Sequence, residues 1–269
     1  MRLQTVLVGL LACVLIAGCV TQTSSTGGTR RESSDSGREP QFDARVRAKA
    51  RTDLAGGYFE LRNFGVALEE VRSAMAADPS YGPAHAMHAL IQMELKDMAQ
   101  AQVSFDRALR LDPQDPDLLH NYGWFLCETG RIDQGLERFT AAIRDPLYAS
   151  PAKSYATAGL CLLRANRSAE AISRFESALR IDAGYAPAML PLARLKYQGG
   201  DTEGARVLIS RLGETVAQSA EAMWVALLVE RRRGDAQAEA SIGLQLRRRF
   251  PESREAQALQ RGQYELVRE

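Results

Sequence analysis

Four segments of the chain repeat one arrangement of small, bulky and polar positions. They are ALEEVRSAMAADPS (67–80), AQVSFDRALRLDPQ (101–114), GLERFTAAIRDPLY (135–148) and AEAISRFESALRIDAG (169–184). In each, a small residue is followed four positions later by a bulky one and three later by another small one, then by Asp-Pro or its remnant. That spacing keeps all three on one face of a helix. The first three segments recur at intervals of 34 residues, which is the size of a helical hairpin and not of a single element.

Unit starts at 48, 82, 116, 152, 186 and 220 bring the pattern into register. In the first five units the eighth position is then Ala55, Ala89, Gly123, Gly159 and Ala193, and the twentieth is Ala67, Ala101, Gly135, Ala171 and Ala205. Small residues at these two places let antiparallel helices cross closely. The twenty-fourth position is Val71, Phe105, Phe139, Phe175 and Ile209, a knob beside the crossing. Gly130, Gly200 and Gly234 fall at the turn inside the hairpin, where a left-handed residue is wanted. Pro79 and Pro113 end the second helix. The pattern resembles the tetratricopeptide repeat, which implies an all-α fold: a right-handed superhelical solenoid of about six paired antiparallel helices over residues 42–269. The third-to-fourth interval is 36, so a two-residue insertion is expected to bulge in DPLYASPA (145–152). The sixth unit carries Glu239 and Gly243 where a small residue and a knob are expected, as terminal repeats tend to be atypical. Arg247, Arg248 and Arg249 read as a solvated helix C-terminus favoured by the macrodipole.

Ahead of the repeats lies a different kind of sequence. Arg2 is followed by an uncharged run, Val6–Gly18, with the length of a signal-peptide core and too short to span a bilayer comfortably. It ends in Leu15-Ile16-Ala17-Gly18-Cys19, which resembles a bacterial lipobox. The resemblance implies a lipoprotein signal peptide at 1–18 and acylation of Cys19; the alternative is an ordinary signal peptide with an incidental Cys. Val20 stands where inner-membrane retention uses Asp, so the sorting pattern implies the periplasmic face of the outer membrane. Residues 19–41 then form the acylated N-terminus and a tether, since 21–41 has no aliphatic or aromatic side chain beyond Pro40. A tether of that length reaches roughly 25 Å, so the anchored domain is expected to move beneath the membrane without lying on it.

Composition narrows the chemistry. Lys+Arg is 34 and Asp+Glu 33, which gives no footing for a nucleic-acid or polyanion binder. Residues 1–41 hold four of the basic and three of the acidic groups, leaving 30 of each in the repeats. With three His and four Cys, little material exists for a metal site, and no P-loop, GxSxG, HExxH or paired CxxC occurs. His85 and His88 share a helical face as metal ligands might, but in the register both turn toward the partner helix and read as packed or partly exposed histidines. Glu94 and Glu128 have no paired acid at fixed spacing. The chain therefore reads as a non-enzyme with no metal, no small-molecule substrate and no cofactor beyond covalent lipid on Cys19. Cys127 and Cys161 stand 34 apart at positions twelve and ten of neighbouring first helices, within reach of a disulfide that the periplasm permits; two buried free thiols are the alternative.

In such a stack the first helix of each pair lines the concave side, with positions two, five, six, nine, twelve and thirteen toward the groove. The candidate protein-binding residues are Met87, Leu90 and Met93 in the second repeat; Asn121, Trp124 and Glu128 in the third; Leu160 and Arg164 in the fourth; and Arg194 and Tyr197 in the fifth. An apolar ring beside an amide suits a peptide; for Trp124 the competing role is packing against the next repeat. The run HNYGWFLCETGRIDQGLERFTAAIRDPLYASP (120–151), with GLCLL (159–163), closely resembles the third repeat and second Cys of the type IV pilus biogenesis and stability lipoproteins, the PilF/PilW pilotin family. This resemblance implies a protein that binds the outer-membrane secretin of the type IV pilus and promotes its localisation and multimerisation, hence pilus biogenesis and twitching motility. The alternative is a periplasmic scaffold lipoprotein recruiting peptidoglycan hydrolases or envelope-assembly factors.

Overall fold

The computed structural model describes residues 38–213 and 218–265. The expected signal peptide, Cys19 and most of the tether lie outside these residues. Thirteen helices are described, and twelve of them pair into six hairpins. These are α1 (Arg38–Glu60) with α2 (Phe64–Ala77), α3 (Gly82–Glu94) with α4 (Met98–Leu111), and α5 (Pro116–Glu128) with α6 (Ile132–Arg144). They continue as α7 (Pro151–Arg164) with α8 (Ser168–Ile181), α9 (Ala186–Gln198) with α10 (Thr202–Leu212), and α11 (Ala220–Arg233) with α12 (Ala236–Arg249). A short α13 (Arg254–Gln260) follows. From the second repeat on, every first helix starts at the expected residue or one before it.

Each odd-numbered helix up to α9 touches the next odd-numbered one, whereas no even-numbered helix touches the next even one among the described residues. The first helices are thus drawn together and line the inner side of the curve, and the second helices fan apart outside. The crossing positions Ala55, Ala67, Ala89, Ala101, Ala193 and Ala205 are wholly buried, and so are the knobs Val71, Phe105 and Phe175. The hairpin turns all place a left-handed residue at position fifteen. Gly130, Gly200 and Gly234 do so in three repeats; Arg62, Lys96 and Asn166 hold the same conformation in the others, with φ of 57 to 64°.

Three features depart from or refine the sequence reading. First, α1 begins at Arg38, four residues inside the expected tether and ten before the first repeat. Second, the sixth repeat is closed by α13, which was not expected. Gly243 replaces the knob, and Leu259 of α13 comes to 3.2 Å from where a Cβ on that glycine would stand, so a later helix fills the gap. Helix α11 is consequently buried from Ala222 to Val229. Its Trp224 donates from Nε1 to the Glu265 carbonyl at 3.0 Å.

Third, the 145–151 insertion turns one side chain inward and one outward. Leu147 is 90% exposed while Tyr148 is buried against Leu119 and Ala142. The Tyr148 hydroxyl lies 2.9 Å from Ser154 Oγ, which is 2.8 Å from Nδ1 of the buried His120. Burial, reinforced by the charge of Lys153, pushes the His120 imidazole down to about 3. Between pH 6.5 and 3 the unfolded chain therefore takes up a proton that the folded one refuses. Stability present above pH 6.5 is lost on acidification by up to about 1.4 kcal/mol per pH unit. In denaturant melts at pH 7 and pH 5, the drop for His120→Gln is expected to be smaller than that of the parent by about 2 kcal/mol. Equal drops would remove His120 as the cause.

Candidate functional site

Two concavities open on the surface formed by the first helices. The N-terminal one, about 260 Å³, lies where α1, α3 and α5 meet; its wall is Ala86, Met87, Leu90 and Leu118, with Asn121 alongside. Its rim is acidic: Asp112, Asp115 and Asp117 all reach it. Asp115 also caps α5, accepting from the Leu118 N–H at 2.6 Å, and burial holds its carboxyl above the ordinary carboxylate range. The C-terminal concavity, about 470 Å³, lies over α7, α9 and the start of α11. It is lined by Leu160, Leu163, Leu190 and Pro191 and carries Arg164, Arg194 and Glu221.

A polar ladder joins the two. Trp124 Nε1 donates to Glu128 Oε1 at 2.9 Å, and the same carboxylate oxygen accepts from Arg164 of the next repeat. One repeat further, Arg194 Nη1 lies 3.3 Å from Glu221 Oε1. The guanidinium groups are thereby held in place with their stems beside the second concavity. Trp124 itself is half-buried between the core shared by the second and third repeats and the core shared by the third and fourth, so part of its ring does pack against neighbours.

Eight of the ten sequence candidates thus face one connected surface: Met87, Leu90, Asn121, Trp124, Glu128, Leu160, Arg164 and Arg194. Two do not. Met93 is only 3% exposed and packs with Ala89, Phe105 and Leu126; Tyr197 is 9% exposed inside the C-terminal core, under the Arg232 guanidinium at 3.6 Å. Both occupy position twelve, the position of Cys127. The rotation between successive first helices turns that position into the inter-repeat seam and leaves six, nine and thirteen open. Cys127 and Cys161 meet across that seam as a disulfide, with Cα atoms 5.7 Å apart. His85 and His88 go separate ways: His85 Nε2 is 3.0 Å from the Pro79 carbonyl, and His88 Nδ1 is 2.7 Å from Ser104 of the partner helix. No group of three or more His, Cys, Asp or Glu fit for a metal occurs among the described residues.

Sequence reasoning missed the acidic rim and the floor of the second concavity. Asp117 was within reach, since it stands at position two of its repeat. Glu221 shares that position and Leu190 stands at position five, so both were within reach as well; Asp112 and Asp115 belong to the connection between repeats.

Comparison with known proteins bears on the fold and the family. Models described as tetratricopeptide repeat match residues 82–115, 104–137, 126–186 and 162–228. The type IV pilus assembly protein PilF of Pseudomonas aeruginosa is 30% identical over 260 residues, covering 97% of this chain and 99% of that one. The solved structure of Pseudomonas aeruginosa PilF superposes with a TM-score of 0.74 at 28% identity, over 82% of this chain and 99% of that one. PilW, described as a widely conserved type IV pilus biogenesis factor, gives 0.71 at 27% identity over 79% and 98%. With correspondence running nearly end to end in sequence and over about four-fifths of the chain in structure, the chain belongs to the PilF/PilW family of tetratricopeptide-repeat proteins of type IV pilus biogenesis.

Proposed function

We propose that this protein is a pilotin: a lipoprotein anchored through Cys19 to the periplasmic face of the outer membrane, whose concave face holds a segment of the pilus secretin. The family supports a role in pilus biogenesis, and the Leu15–Cys19 lipobox supports the anchor. The single observation that carries the binding role is the continuous inner surface. Two concavities with apolar walls are bridged by the Trp124–Glu128–Arg164 ladder, which offers ring area and fixed polar groups to another polypeptide. No step in this role makes or breaks a bond; anchoring raises the local concentration of secretin subunits where they assemble.

Two variants test separate halves of this reading. Cys19→Ser is expected to leave the fold intact while secretin multimers disappear from the outer membrane; normal multimers there would refute the anchor. Trp124→Ala is expected to weaken capture of solubilised secretin by roughly thirtyfold, the scale of an aromatic hot spot, measured at a temperature where the variant, which also loses the packing of its ring, is fully folded. Undiminished capture would place the secretin elsewhere on the surface.

A further inference from the structure

Helix α1 is out of proportion to its neighbours. It has 23 residues where the other repeat helices have 11 to 14, and its first ten precede the repeat register. At 1.5 Å per residue they add about 15 Å of helix. Between Phe42 and Arg47 no residue is fully buried, and Ala48 is the first that is. A helical overhang with so little packing is marginal in water unless its apolar face finds a surface.

That face exists. Phe42 is 70% exposed, Val46 51% and Leu54 44%, and Leu61 in the following turn is 76% exposed. With Ala50 and Gly57, also exposed, they fall within one stripe about 120° wide at 100° per residue. The remaining exposed large apolar residues, such as Val103, Leu147 and Leu244, are scattered among other elements, as is normal for a soluble surface. Cations border the stripe on both sides: Arg45 and Lys49 on one edge, Arg47 and Arg51 on the other. From Phe42 to Leu54 there are four basic and two acidic groups; Lys49 pairs with Asp53 at 2.6 Å, Arg51 with Glu70 at 2.7 Å and Arg45 with Asp78 at 3.7 Å, and each of these cations stays more than half exposed. An apolar band between two cationic edges is the arrangement of a helix lying in a bilayer interface, with its chains in the acyl boundary and its charges at anionic headgroups.

We propose that α1 docks on the anionic surface of the membrane to which Cys19 ties the chain, so that the domain lies against the bilayer in one orientation. The proposal rests on the anchor reading above for its placement: Cys19 stands 18 residues before Gly37, the neighbour of Arg38. A second copy of the chain is the poorer occupant, because pairing two such stripes brings cationic edges together. Docking replaces the free movement expected from the tether with a fixed one. Since α1 is the first of the helices lining the inner curve, it sets how the concave face is presented to the periplasm.

The test uses full-length mature chains labelled at a single cysteine with an environment-sensitive dye, Val46→Cys on the stripe and Val103→Cys on α4 as the comparison. Acylated protein is reconstituted into vesicles of phosphatidylcholine with or without phosphatidylglycerol. Flotation reports the anchor, and the dye reports docking. With phosphatidylglycerol, the label at 46 is expected to shift to the blue and brighten by about threefold, while the label at 103 stays in water. Introducing Phe42→Ser and Leu54→Ser together is expected to abolish the response without changing flotation. Chains that float while the label at 46 remains in water overturn docking and leave the anchor standing. The same labels in a Cys19→Ser background, titrated to millimolar phosphatidylglycerol vesicles, make the result independent of acylation: a response there supports docking even if the acylated arm fails to float, and none in either arm overturns it. A label at 46 already blue without lipid, with doubled mass, assigns the stripe to a second copy and also overturns the proposal.

Discussion

Gly135→Val is expected to cost the repeat domain about 4 kcal/mol or more and to lower its melting temperature by roughly 10 °C. Gly135 on α6 crosses Gly123 on α5, whereas the first, second and fifth hairpins cross Ala on Ala. A Cβ at 135 would stand 2.8 Å from the Gly123 carbonyl oxygen and 2.7 Å from Cys127 Sγ. Neither can retreat: the first is backbone in the middle of α5, and the second is tied to Cys161. At Gly159, by contrast, the nearest atoms all belong to the Phe175 ring, a side chain and not backbone. Val at 135 must therefore push α5 and α6 apart, and Phe139, which seats 2.9 Å from where a Cβ on Gly123 would be, loses its groove. Gly57→Ala in α1 is the control. Nothing lies within 4 Å of its Cβ position, and replacing a helical glycine there is expected to be neutral or to gain about 0.5–1 kcal/mol. Scanning calorimetry of the two variants decides the matter: a Gly135→Val domain melting beside the parent would mean the close crossing carries no energy.

The same crossing explains why so much of the fold was legible in sequence. Hairpin packing depends on residue size at two fixed positions, so Ala and Gly at eight and twenty report it directly, and the starts at 82, 116, 152, 186 and 220 fall within a residue of the helices. The inner surface was legible at positions six, nine and thirteen for a related reason: they are set by the geometry inside one hairpin. Position twelve is different. Whether Met93 and Tyr197 face the groove or the seam depends on the rotation from one hairpin to the next, which no residue within a repeat encodes. The turns were half legible, since glycine marks position fifteen in three repeats while Arg62, Lys96 and Asn166 adopt the same φ without advertising it. At the ends the register gave nothing. The overhang of α1 has no repeat partner, and α13 is seven residues long, yet Leu259 from it supplies the knob that Gly243 lacks.

Removing the Cys127–Cys161 bridge by Cys127→Ala with Cys161→Ala is expected to cost about 4 kcal/mol. The pair closes a loop across a sequence separation of 34 residues, for which the chain-entropy term is about 3.8 kcal/mol. The loss of two buried sulfur atoms adds to it, since the sites are lined by Phe139, Ala158 and Leu136 and cannot refill them. The position of the bridge makes the effect more than a general loosening. It joins α5 to α7 across the one junction where the repeat interval lengthens to 36, and where Tyr148, Ser154 and His120 form the buried polar contact. Without it, α7 is held to α5 by that contact, by apolar packing and by the Arg164–Glu128 pair, and an ion pair this exposed contributes little. Amides of 145–151 and the first turn of α7 are therefore expected to exchange faster in the double variant than those of α3 or α9, and secretin capture to fall along with the Trp124–Glu128–Arg164 ladder that spans the same seam. Thiol titration fixes the starting point: the unreduced native chain, denatured, is expected to expose no thiol from this pair. Two reactive thiols there, or exchange that speeds up uniformly along the solenoid, would take the bridge out of the account of how the third and fourth repeats are held in register.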